Sequence, residues 1–194
     1  MKIIRKIPKL QPLGLAVIIT TLTITICYAI KPELIGIRSA FSSLGAYPPT
    51  SYIFTSGFVV SALLIFFDAV KTKNLFQKIC RLLAALGFAM LGIFQIEHGQ
   101  TRGDLHRLGG LIMLLAIIVS MLGHLIKGWG HFSYTKRILF FGFSALGIVS
   151  VVMSVLSSSQ FQVISLQGLA QYIGLISLIG WALLDSYFEK TLYS

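Results

Sequence analysis

The chain has 194 residues, of which 56% are hydrophobic and 11% charged, and its mean hydropathy is +0.86. A soluble domain of this length has no interior large enough for so much apolar surface. The composition therefore excludes a soluble globular protein and indicates a membrane protein. The net charge of +10 would suggest nucleic acid binding in a soluble chain, but in a membrane chain its placement indicates topology, and we expect no nucleic acid partner.

Six apolar runs of about 18 to 24 residues follow one another along the chain, and a helix of that length crosses about 30 Å of hydrocarbon. The sequence therefore predicts an all-α fold, a single bundle of six transmembrane helices that takes in residues 1–194. The predicted helices lie at about 13–30, 52–70, 79–96, 106–126, 138–156 and 164–187.

The basic residues predict which side of the membrane each connector faces. Lys and Arg collect on cytoplasmic connectors, and twelve of the sixteen here lie before the first run, in every second connector or after the sixth run. We therefore expect both termini in the cytoplasm. The short connectors fit a prokaryotic inner membrane, and an internal eukaryotic membrane would show much the same pattern. The predicted inner residues are Lys2, Arg5, Lys6, Lys9, Lys71, Lys73, Lys78, Arg81, Lys127, Lys136, Arg137 and Lys190.

The first outer connector, residues 31–51, is the longest and is unusually apolar. We expect it to fold onto the bundle or to lie at the membrane interface. Pro48 and Pro49 stiffen its exit, just before the second helix. Its apolar residues are Ile35, Ile37, Phe41, Leu44 and Tyr47.

Polar residues cluster on the outer side in the second outer connector and on the sixth helix. Gln167 and Gln171 are four residues apart and share one face of that helix. We expect the elements to converge on a polar, outward-opening pocket, since intramembrane polar residues are costly. Alternatively, the glutamines only bond to neighbouring helices. The connector residues are Gln95, Glu97, His98, Arg102, Asp104, His106 and Arg107.

Several of these side chains also suit other chemistry. Asp104 would suit the N-cap of the fourth helix. His98, Asp104 and His106 are possible zinc ligands, but they lack a compact motif, so we expect no metal and no cofactor. Asp68 and Asp185 lie near the inner ends of their helices, and we interpret them as charge partners rather than proton carriers.

Two short motifs resemble those of a known family. Residues 42–54 read SSLGAYPPTSYIF, which resembles the S-D-x-G-x-x-P-P-E-x-x-x-F signature of the DRAM/Frag/Sfk family of six-helix membrane proteins. Residues 92–95 read GIFQ and are followed by His106 and by Gly109 and Gly110, which is similar to that family's G-x-F-Q … H-x-x-G-A pattern. The resemblance covers most of the chain in order and topology, and it extends to uncharacterised prokaryotic relatives.

The resemblance implies a membrane protein concerned with lipids, because members are linked to remodelling of the lipid part of glycosylphosphatidylinositol anchors. This chain departs from the pattern at both acidic positions, with Ser43 in place of Asp and Thr50 in place of Glu, and Gly110 replaces Ala. The residues that carry over would form either a lipid headgroup site or a structural latch for the loop. They are Gly45, Pro48, Pro49, Phe54, Gln95 and His106.

Three functions follow as hypotheses. The first is a protein that binds or organises membrane lipids without catalysis, with a headgroup or ester carbonyl at Gln95, His98 and His106. The second is a lipid hydrolase or acyltransferase that uses His106 as general base or metal ligand and Ser42 or Ser43 as nucleophile, although the chain has no GxSxG elbow. The third is a haem-binding electron carrier, because His106 and His124 share one predicted helix.

Overall fold

The computed structural model describes residues 11–36, 40–94, 100–157 and 166–192, and every regular element in these ranges is helical. Six α-helices are long and apolar enough to cross a membrane. The predicted all-α, six-helix fold is confirmed, and the chain is an integral membrane protein. The helices are α1 (Pro12–Ile30), α2 (Thr50–Lys71), α3 (Leu75–Ile93), α4 (Gln100–Gly128), α5 (Tyr134–Leu156) and α6 (Gln167–Leu192).

The helix ends differ from the predicted ones because an apolar run marks the membrane-embedded part of a helix, not its caps. α3 begins four residues early, since the side chain of Asn74 accepts a hydrogen bond from the backbone N–H of Gln77. α4 begins at Gln100 rather than at 106, so Asp104 lies inside the helix. The expectation that Asp104 is its N-cap is wrong.

Helices adjacent in the chain pack against one another, and α6 returns to α1, so the bundle is a closed ring. Small residues allow the close approaches between helices. A Cβ on Gly57 would lie 2.0 Å from Oγ1 of Thr23 on α1, and one on Gly87 would lie 2.6 Å from the carbonyl oxygen of Gly109 on α4. Both crossings require glycine.

The two ends of the bundle carry different connectors. We call the end with connectors 72–74 and 129–133 the basic end, because Lys71, Lys73, Lys78, Lys127, Lys136 and Arg137 lie in or beside them, and the end with connector 31–49 the loop end. The described part of that long connector contains two 3₁₀ helices, Pro32–Leu34 and Phe41–Gly45. Leu44 is fully buried against the bundle, which brings this segment over the centre of the loop end.

Candidate functional site

The loop-end half of the bundle contains a cavity of about 520 Å³, which we call the loop-end cavity. All six helices and the 3₁₀ helix Phe41–Gly45 contribute to its wall. The wall is mainly apolar, and this volume is within the usual range of small-molecule sites, about 300 to 1,000 Å³. Its apolar lining includes Phe54, Phe58, Phe88, Leu91, Leu114 and Leu175.

His106 is the buried imidazole of this cavity. It lies on α4 and is only 4% exposed. Its Nδ1 lies 2.7 Å from the carbonyl oxygen of Phe94, the residue that follows α3. Its Nε2 is buried and has no hydrogen-bond partner within the described ranges. One ring nitrogen therefore bonds to the residue after α3, and the other has no hydrogen-bond partner among the described residues.

The two glutamines of α6 also line the cavity, and both bond to neighbouring segments. Gln171 Oε1 accepts a hydrogen bond from the backbone N–H of Ser42 at 3.2 Å, and its Nε2 donates to Ser42 Oγ at 3.1 Å. Gln167 Nε2 donates to the carbonyl oxygen of Ser157 at 3.4 Å. Gln171 thus fastens connector 31–49 to the bundle.

The structure brings together only part of the polar set that the sequence indicates. His106, Gln167 and Gln171 line one cavity, as does Arg107. Gln95, Glu97 and His98 lie outside the described residues.

Asp104 does not belong to the cavity. Its side chain is 62% exposed and pairs with Arg107 at 3.6 Å, whereas His106 is buried. The zinc set that combines Asp104 with His106 is therefore not assembled in this structure. Among the residues that the structure describes, no group of His, Cys, Asp and Glu is arranged to hold a metal ion.

The segment that resembles the family signature packs against the start of α2. Phe54 is 1% exposed, and a Cβ on Gly45 would lie 2.9 Å from its Cδ1, so glycine is needed there. Pro48 and Pro49 are joined by a cis peptide bond between the 3₁₀ helix and α2.

The serines of this segment lack the geometry of a nucleophile. Ser42 Oγ accepts from the Gln171 amide, which is not a base, and Ser43 Oγ donates to the carbonyl oxygen of Ala40 at 2.5 Å. A hydrolytic serine needs a base within hydrogen-bond reach. The hydrogen bonds of the described residues therefore do not support the enzyme hypothesis.

A second polar cluster, which we call the basic-end network, fills the centre of the bundle at the basic end. Arg81 of α3 is 2% exposed and pairs with Asp68 of α2, at 2.8 Å, and with Asp185 of α6. It also donates to Thr72 Oγ1. Nε2 of His124 on α4 lies 2.8 Å from the second oxygen of Asp185. Asp68 and Asp185 are charge partners, as predicted.

A group of neutral side chains lies one helical turn from these charges, at Gln77, Ser120 and Trp181, and forms its own hydrogen bonds. Ser120 Oγ donates to Gln77 Oε1 at 2.5 Å and accepts from Trp181 Nε1 at 3.0 Å, and Gln77 Nε2 donates to the Ser120 carbonyl oxygen. With the charged groups, these bonds connect four helices, α2, α3, α4 and α6. Most of the costly buried polar groups in the cluster are satisfied by mutual contact.

Arg81 is predicted to be one of the connector charges, but it is buried inside the bundle, so that prediction is wrong. The missed signal is helical spacing. Gln77, Arg81, Ala84 and Phe88 recur at steps of four, three and four residues, so they lie on one face of α3, and all four are buried. A basic residue on such a face points to a buried acidic partner.

The haem hypothesis finds no support in the histidines of α4. Nε2 of His124 bonds to Asp185, and His106 lies at the other end of the bundle with one nitrogen on Phe94. Axial coordination through Nε2 of His124 would break its contact with a buried carboxylate.

Comparisons with known proteins give the family but no function. No curated protein and no solved structure matches the chain. The family model described as "Protein of unknown function (DUF998)" matches residues 15–185, which is most of the chain. The resemblance to the DRAM/Frag/Sfk family stays a prediction. By the extent of the match, the chain belongs to the DUF998 family of proteins of unknown function.

Proposed function

We propose that this protein binds one membrane lipid in the loop-end cavity and performs no chemical step on it. The observation that carries the proposal is the buried Nε2 of His106, which has no partner in the described ranges and lines a largely apolar cavity of about 520 Å³. A buried polar atom without a partner is costly, and a ligand that reaches it removes the cost. Apolar walls with one free polar atom suit an acyl or prenyl chain with a small polar end.

The lipid enters from the side, between the loop-end halves of α4 and α5. Near the basic end these helices are in contact, with the rings of His124 and Phe140 6.1 Å apart. Toward the loop end, Leu108, Leu111 and Val155 line the cavity and are also exposed. This arrangement supports exchange with the membrane without passage through water.

The proposed setting is a prokaryotic inner membrane, with the basic end toward the cytoplasm. The distribution of Lys and Arg over the connectors supports this orientation. The resemblance to the DRAM/Frag/Sfk family supports a role in lipid handling, because members of that family are linked to lipid remodelling. The loop-end cavity would then face the outer leaflet.

Native mass spectrometry of the detergent-purified protein tests the proposal with two variants of α5. Ser154 lines the cavity, so Ser154→Phe fills it, whereas Val152 is 50% exposed and does not line it, so Val152→Phe is the matched control. We expect wild type and Val152→Phe to retain a co-purified lipid and Ser154→Phe to lose it. If Ser154→Phe melts like the control and retains the same lipid in the same amount, the proposal is wrong.

A further inference from the structure

The position of the hydrogen on the imidazole ring of His106 decides which chemical group of a ligand can bond to Nε2. Nδ1 lies 2.7 Å from the carbonyl oxygen of Phe94, and a carbonyl oxygen only accepts hydrogen bonds. In the neutral imidazole, Nδ1 therefore carries the hydrogen, and Nε2 presents a lone pair. The group that bonds to Nε2 must be a donor, which excludes ester carbonyls and ionised phosphodiesters.

The cavity's own donors do not reach this lone pair. Ser150 Oγ donates to the Ala170 carbonyl oxygen at 2.7 Å, and Thr20 Oγ1 donates to the Ala16 carbonyl oxygen at 2.9 Å. The Nε2 amides of Gln167 and Gln171 donate to Ser157 and Ser42. In this part of the described chain, the acceptor on His106 is left for an incoming donor.

The charges around the cavity favour an uncharged ligand. Among the described residues of its lining none is acidic, so these residues offer a cationic headgroup no counter-ion. Arg107 is the cationic residue of the lining, but its side chain is 55% exposed and pairs with Asp104, which places its charge at the rim. An anionic headgroup at His106 would set oxygen lone pairs against the lone pair of Nε2.

We infer that the ligand of the loop-end cavity is a long-chain alcohol with an uncharged head, whose hydroxyl donates a hydrogen bond to Nε2 of His106 while its hydrocarbon chain occupies the apolar cavity. Lipids of the monoacylglycerol, diacylglycerol and prenol classes have this chemistry. The inference rests on the proposed function and replaces the ester carbonyl of the sequence-based hypothesis with a donor.

Competition photolabelling of the full-length purified protein tests the class. The probe is a diazirine-bearing C18 alcohol, and the competitors are oleyl alcohol, oleyl methyl ether and oleyl phosphate, which share one chain and differ at the head. One hydrogen bond to a buried acceptor is worth about tenfold in affinity, so we expect the alcohol to compete about tenfold better than the ether. His106→Phe removes the acceptor, so alcohol and ether should then compete within about twofold.

The outcomes distinguish failure of the alcohol assignment from failure of the proposed lipid site. If the ether or the phosphate competes with wild type as well as the alcohol does, the alcohol assignment is overturned while the cavity remains a lipid site. If labelling is not saturable and Ser154→Phe leaves it unchanged, the proposed function fails as well. If His106→Phe does not fold, wild type alone still tests the alcohol assignment, through the ratio of the concentrations at which the alcohol and the ether block labelling.

Discussion

The two histidines of α4 have opposite surroundings. His124 lies at the basic end, and its Nε2 contacts the buried carboxylate of Asp185. It belongs to the basic-end network, in which ion pairs and hydrogen bonds join side chains of four helices. His106, at the loop end, uses Nδ1 for a backbone carbonyl and presents Nε2 in a largely apolar cavity. The same residue type therefore holds helices together at one end and, in the proposed function, binds a ligand at the other. Burial alone does not separate these roles, since both side chains are 4% exposed.

The largest expected effect comes from breaking the basic-end network at its cation. Arg81→Met leaves the carboxylates of Asp68 and Asp185 buried without their shared partner, and should lower the free energy of unfolding by about 3 to 5 kcal/mol. SDS-unfolding titration in mixed micelles measures this change. Lys73→Met, at an exposed basic residue of the same end, is the control and should change little. Equal stability of the two variants would contradict the structural role of the network.

The same substitution at each histidine sharpens the comparison. His124→Phe removes a hydrogen bond to a charged group and should cost about 1.5 to 3 kcal/mol, whereas His106→Phe removes a bond to a neutral carbonyl and should cost about 0.5 to 1.5 kcal/mol. The same unfolding titration measures both. If His106→Phe lowered the free energy of unfolding more than His124→Phe does, the structural role would belong to the loop end instead of the basic end.

Neighbouring glycines test whether the loop end contains open space. A Cβ on Gly87 would meet the backbone of Gly109, so Gly87→Ala should destabilise the protein by about 1 to 3 kcal/mol. Gly110 lines the cavity, and its Cβ would lie 3.6 Å from Leu91 Cδ2. Gly110→Ala should therefore be neutral, or stabilising by about 0.5 to 1 kcal/mol through helix propensity. If Gly87→Ala and Gly110→Ala lowered the free energy of unfolding equally, there would be no open space beside Gly110.

The smallest expected effect concerns the fastening of the long connector. Gln171→Leu removes both hydrogen bonds to Ser42, worth together about 1 to 2 kcal/mol, and should speed amide exchange of residues 40–47 by about tenfold. Hydrogen–deuterium exchange with mass spectrometry reports on that segment. Gln167→Leu, which leaves Ser42 untouched, is the control, and equal exchange in the two variants would argue against the latch.

The sequence predicts the membrane spans well, because hydropathy measures the cost of placing each residue in hydrocarbon. It predicts helix ends less well, since the polar turn that starts α4 at Gln100 has no apolar signature. Hydropathy does not show which way a charged side chain near the end of an apolar run points, and Arg81, the third residue of the predicted span 79–96, was therefore grouped with the connector charges. Its burial depends on acidic residues that are distant in the chain, such as Asp185.

For the candidate site, the sequence indicates the residue types but not their partners. His106 and Gln171 stand out as polar residues near the ends of apolar runs, but the contact of Gln171 with Ser42 joins residues 129 positions apart. The cavity itself depends on how all six helices and the 3₁₀ helix Phe41–Gly45 pack together. That packing joins residues that are distant in the chain, and no local pattern encodes it.

The length of α4 sets the distance between the two histidines. His106 and His124 are eighteen residues apart on one continuous helix, which corresponds to five turns and about 27 Å, so their side chains leave the same face of the helix. The number of residues between the two histidines therefore fixes both their distance and their relative direction. Inserting or deleting one residue between them would rotate one histidine by about 100° relative to the other. A chain that keeps His124 on Asp185 and His106 in the cavity has to preserve the residue count of this helix between the two histidines.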